Sequence, residues 1–102
     1  METKELQKRA VEIVDILDKK FNVDRDAQLN FTQPMEEIGE LAKDINFQRL
    51  RHREPDRENM EGGFGDVFLQ LSKMADIMDV DLEHATLNKI QTVKKRHESD
   101  EI

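Results

Sequence analysis

Glu36-Glu37-Ile38-Gly39-Glu40-Leu41-Ala42, read together with Gly63-Phe64-Gly65-Asp66-Val67-Phe68, decides how this chain is arranged. In the first stretch Met35, Ile38, Leu41, Ala42 and Ile45 recur at helical spacing, with Glu36, Glu37, Glu40 and Asp44 on the other side. Glu37 and Glu40 are three residues apart, so their side chains are neighbours on one helix surface. Glu37 also borders Leu41, which sets the acids at the edge of the apolar stripe. In the second stretch Phe64, Val67, Phe68, Leu71, Ala75 and Met78 form one stripe, while Leu69 and Ile77 lie on the far side and flank Asp66 and Lys73. A helix apolar on both sides is expected at the centre of a bundle or at a subunit interface. Asp66 is therefore expected in apolar surroundings, where a carboxylate requires a cationic partner or a metal.

Outward from this pair, the chain reads as four helices. Leu6, Ala10, Val11, Ile13, Val14, Leu17 and Phe21 predict a packing helix over residues 3–21, ended by Asn22 and Asp24. The helix carrying the glutamates runs to about Leu50. Pro34 is either its first-turn residue, capped by Thr32 or Gln33, or a kink in a helix begun near Asp26. Residues 48–62 read as a polar connector, rich in Arg and broken by Pro55. It serves either as a solvated linker or as a phosphate-attracting flap. The third helix starts at 56 or 64 and ends at Met78. Asp81 is an N-cap for a fourth helix from Leu82 to about His97. Lys89 and Arg96 share a face of that helix, while Lys94 and Lys95 suit its C-terminal dipole. The expectation is a single all-α domain over 1–102, with 98–102 as a frayed tail.

Composition limits the function. A chain of 102 residues with 36% hydrophobic and 38% charged residues makes a thin core, so self-association is expected. The net charge of -7 removes the electrostatic basis for nonspecific binding to a nucleic acid polymer. With no cysteine there is neither a disulfide framework nor a thiolate zinc site. No apolar run approaches a membrane span, and the N-terminus has no signal-peptide apolar region, so a soluble, cytoplasmic protein is expected. Inward-facing acids on two helices select hard cations, Mg²⁺ or Mn²⁺, and such ions bind phosphate oxygens.

The two stretches together resemble the MazG-like nucleotide pyrophosphohydrolases of the all-α NTP pyrophosphatase superfamily. Their pattern is E-E-x-x-E, a spacer, then E-x-x-D. Asp81-Leu82-Glu83, with Ala85 and Lys89, resembles the family's fourth-helix opening. The likeness covers about residues 25–97. It implies a four-helix MazG-like bundle completed by homo-oligomerisation, as dimer or tetramer. The implied activity is Mg²⁺-dependent splitting of NTP or dNTP into monophosphate and pyrophosphate, of the house-cleaning kind. Carried over by position, Glu36, Glu37 and Glu40 form the catalytic cluster. Glu37, Glu40 and Asp66 are the metal ligands, and Lys89 and Arg96 hold substrate phosphates.

One position departs from the pattern: Gly63 stands where the family places a Glu. Glu61 could replace it only if Gly62-Gly63 unwinds a turn. Thr92 also stands where many members carry Asn. Gly63 motivates one alternative to the hydrolase, a catalytically impaired nucleotide- or metal-binding regulatory module, and the helical plan shared with the related phosphoribosyl-ATP pyrophosphohydrolases implies another, an enzyme like these.

Overall fold

The computed structural model describes residues 1–101. It contains four α-helices: α1 (Thr3–Lys20), α2 (Ala27–Leu50), α3 (Arg57–Ile77) and α4 (Leu82–Glu98). Among the described residues there is no strand, and no helix is long and apolar enough to cross a membrane.

Short polar side chains set the helix ends. The carboxylates of Asp26, Asp56 and Asp81 accept from the amides of Leu29, Asn59 and His84 at 2.8, 3.2 and 3.2 Å, capping α2, α3 and α4. Each helix closes on a left-handed residue: Asn22, His52, Asp79 or Asp100. The next amide returns to a carbonyl five residues back: Val23 to Asp18, Arg53 to Gln48, Val80 to Ala75 and Glu101 to Arg96, at 2.7–3.0 Å. Residues 98–101 thus complete the cap of α4, and Ile102 lies outside the described residues.

The polar connector expected over 48–62 is shorter. Only residues 51–56 separate α2 from α3, and the charges on either side belong to exposed helix faces. Arg57 pairs with Glu61 at 3.0 Å, one turn apart, in the first turns of α3. The Arg51 guanidinium stacks over Phe47, 3.4 Å from the ring centroid. Pro34 lies buried inside α2, with Asp26 rather than Thr32 or Gln33 as the cap.

The helix α3 is central. It packs against α2 on one side and α1 on the other, while α4 rests mainly on α1. A core shared equally by four helices is not formed. Among the described residues the buried apolar side chains are Ala10 and Val14 on α1 and Ala75 on α3, and α4 buries none of its own. Polar ties supplement this small core. Gln7 donates to the Val80 carbonyl at 3.0 Å and accepts from the Leu82 amide at 2.9 Å, fastening the α3–α4 turn to α1. Arg25 holds Asp18 through two nitrogens and donates to Gln70 at 3.3 Å. Lys73 pairs with Asp15 at 2.6 Å. These contacts fasten α3 and the turn before α2 to α1, and α2 packs along α3 from that turn.

Candidate metal centre

Along α2 the residues Asn30, Pro34, Glu37 and Leu41 follow one another at helical spacing and are buried or half-buried. They form the line turned toward α3. On α3 the corresponding half-buried line is Gly63, Val67, Gln70 and Met74. The helices approach closely at Gly63, where an added Cβ would lie 2.7 Å from Leu41 Cδ1. One turn back along α2 from this crossing is Glu37. One turn forward along α3 is Asp66.

The electrostatics of Glu37 register this juxtaposition. Burial, then the charges of Glu40, Asp66 and Glu36, raise its carboxyl above the ordinary glutamate value. Asp66 acts on Glu37 from the other helix, so the two sequence motifs do meet. Among the described residues Glu36, Glu37, Glu40 and Asp66 have no ion pair and no side-chain hydrogen bond. Four acids from two helices therefore carry uncompensated negative charge.

One expectation about Asp66 is corrected. It is exposed in the single chain, where neighbouring Phe64 is 59% exposed and Leu69, the apolar residue one turn on, is only half-buried. Glu36 and Glu40 are exposed as well. As placed, no three Asp, Glu or His among the described residues converge tightly enough to hold a metal ion. The residues fit a hard cation by chemistry, as unpaired oxygen donors on one side of a helix pair, and closure around it requires their flexible side chains to turn inward.

The remaining sequence candidates lie elsewhere. Glu61 is paired with Arg57, and α3 passes through Gly62-Gly63 without a positive-φ glycine, so the unwinding that would redirect Glu61 is absent. Lys89 and Arg96 are exposed on α4, the helix that rests on α1 rather than on the pair carrying the acids. Lys89 borders an apolar groove with Ala85, Ile90 and Val93.

The sequence reading missed Asn30, which is 6% exposed and has a side-chain oxygen without a partner. A signal was present. Proline has no N–H, so Pro34 leaves the main-chain carbonyl four residues earlier, that of Asn30, without its helical donor.

Residues 25–99 match the family model of the MazG nucleotide pyrophosphohydrolase domain. No curated protein and no solved structure matches the chain. The matched span contains the whole of α2, α3 and α4, and with them both acidic motifs. The chain belongs to the MazG nucleotide pyrophosphohydrolase family.

Proposed function

We propose that the chain is a divalent-metal-dependent nucleoside triphosphate pyrophosphohydrolase, releasing pyrophosphate and a nucleoside monophosphate. The observation that carries this reading is the set of unpaired carboxylates around Glu37, contributed by α2 and α3, within a MazG domain. Glu37, Glu40 and Asp66 would hold Mg²⁺ or Mn²⁺. When bound, such an ion would neutralise phosphate oxygens and ease deprotonation of the attacking water. The carboxylates of Glu36, Glu37 and Glu40 would orient the attacking water, and one of them would accept its proton.

A second reading, a nucleotide- or metal-binding regulator, is motivated by Gly63, which supplies no ligand. Pyrophosphate release from common and modified nucleotides, with and without Mg²⁺, separates the two. The hydrolase reading requires metal-dependent release that Asp66→Asn or Glu40→Gln abolishes. Release from no nucleotide leaves the regulator.

A further inference from the structure

The helix α1 carries neither acidic motif and lies before residues 25–99, the span that matches the family. Along it Gln7, Val11, Val14 and Asp18 form the buried or half-buried line turned toward α3. Leu6, Ala10, Ile13 and Leu17 follow the next line at four-three-four spacing, the seam of a helix that packs against another helix. Of these only Ala10 is buried, and Leu6, Ile13 and Leu17 are each more than two-fifths exposed. The helix therefore has two adjacent seams, and α3 fills one of them. Among the described residues no helix fills the other: α4 meets α1 where Lys4 and Gln7 hold the turn ahead of it, and leaves that edge open.

The direction of the open edge follows from the polar ties. With α1 and α2 on either side of α3, the three helices make one layer. Asp15, about a quarter-turn around α1 from its α3-facing line, reaches Lys73 on one side of that layer. The connection from α1 to α2 crosses α3 on the same side, where Arg25 meets Gln70. Leu6, Ile13 and Leu17 stand about a quarter-turn the other way and come out on the opposite side. There α3 shows Leu71 and Met78, which line a groove together with Phe31 of α2. These three side chains are exposed as well. One apolar face thus runs across all three helices.

We propose that this face receives a second copy of the chain, and that α1 is one of the helices that pack against it. Size favours that occupant. Three helices spaced about 10 Å apart present about 25 Å by 25 Å, roughly 1,200 Å² over two copies, and a stable interface needs about 1,000 Å² or more. Charge favours it too. In a chain of net charge -7, two copies approach with least repulsion through a face whose exposed side chains are uncharged. An anionic lipid surface is repelled by the rest of the chain. Aliphatic, phenyl and thioether groups are also the content of the buried centre of a subunit contact. The inference stands apart from the hydrolase reading, because self-association needs neither metal nor turnover.

The chain has no cysteine, so a single introduced thiol reports its own surroundings. Ile13→Cys lies on the open seam. Ile16→Cys lies outward of it, at a residue more exposed than Ile13 in the single chain. The test is the rate of labelling by a thiol reagent from nanomolar to tens of micromolar protein, beside sedimentation of each variant. Both thiols are expected to react rapidly in dilute protein. Where the chain sediments as a dimer or larger species, Ile13→Cys is expected to slow about tenfold or more while Ile16→Cys is unchanged. Leu17→Lys, at a position open in the single chain, is expected to keep the helical signal and to raise the dissociation constant about tenfold or more. The inference is overturned if the chain stays a monomer at tens of micromolar, or if Leu17→Lys associates as tightly as the parent. It is equally overturned if the chain associates while Ile13→Cys stays fully reactive, which would confine the interface to α2 and α3. Protection of Ile13→Cys only on adding phospholipid vesicles would assign the face to a membrane and remove the second copy.

Discussion

Gly63 and Leu41 meet at the crossing of α3 and α2, where a Cβ on residue 63 would stand 2.7 Å from Leu41 Cδ1. The position at which the family places a carboxylate is here a packing contact. Leu41 lies where the root of that side chain would begin.

Substitutions at the glycines of α3 should therefore diverge. Nothing lies within 4 Å of a Cβ built on Gly62, so Gly62→Ala should stabilise the helix by about 0.5–1 kcal/mol. Gly63→Ala gains the same propensity but must displace Leu41, and overpacking costs about 1–3 kcal/mol. The expected net result is a loss of about 1 kcal/mol, read from urea unfolding. Equal stabilisation by both changes would show that Leu41 moves freely.

Gly63→Glu should lose stability for the same reason while tightening Mn²⁺ binding, about tenfold for one added carboxylate. The Leu41 methyl can rotate away, since the contact is with the end of a flexible side chain. An inactive parent whose Gly63→Glu variant releases pyrophosphate would identify an impaired site. An already active parent would show that three carboxylates and water suffice.

The charge on Glu37 gives a sign that distinguishes metal binding from packing. Its folded-state value is raised, so its contribution to stability is fully present below the ordinary glutamate value and is lost as pH rises through the higher folded one. At neutral pH the metal-free protein therefore carries a repulsive cluster. Glu37→Gln should raise the melting temperature of the metal-free protein by a few degrees and flatten its decline between weakly acidic and neutral pH. The same variant should lose the thermal shift that Mg²⁺ gives the parent. A Glu37→Gln protein that is less stable without metal would mean that the carboxylate is held by a partner rather than repelled by its neighbours.

Asp18 has the opposite sign. The hydrogen bonds from Arg25 are the main cause holding its carboxyl below the ordinary aspartate value, against a smaller opposing effect of burial. Its contribution is present above the unfolded value and disappears as pH falls through the folded one. Arg25 is 7% exposed, and its guanidinium also reaches Gln70, so the pair ties the α1–α2 turn to α3. Asp18→Asn should cost about 2–3 kcal/mol at pH 7 and much less in acid. Melting curves collected across the acid range check the convergence. A constant difference at all pH values would point to packing instead of charge.

How legible this molecule is in its sequence depends on how local each cause is. Asp81 before Leu82 is a local signal and yields the start of α4. Asp56 is an equally good cap, but Pro55 and the surrounding arginines made a loop the simpler reading. Only the structure resolves those charges into the ends of two helices. The acidic motifs are legible because their spacing is local, and their meeting follows from an antiparallel α2–α3 pair. The exposure of Asp66 was not legible. It depends on which apolar faces the other helices cover, and α1 covers the side of α3 holding Ser72 and Ala75 rather than the side near Asp66. Asn30 required a nonlocal fact as well, the burial of its side chain.

Uncovered apolar surface leads to the last expectation. The chain has a radius of gyration of 16.6 Å, against about 13 Å for a compact domain of this length. On α2, Met35 and Ile38 are 56% and 47% exposed, and on α3 Phe64 is 59% exposed. A stable interface needs about 1,000 Å² or more, and apolar faces on two adjacent helices can supply it. Sedimentation should show a dimer or larger species at micromolar concentration, and Ile38→Asp should reduce it to a less stable monomer. Lys89 and Arg96 lie on the helix that rests on α1, so any service to the phosphates would come from a second copy. An inactive Lys89→Ala protein mixed with an inactive Asp66→Asn protein should then recover part of the parent activity, because some mixed sites carry both intact residues. A wild-type chain that sediments as a monomer would remove this arrangement. No recovery on mixing, with subunit exchange shown by a tag, would assign Lys89 and the acids to one chain.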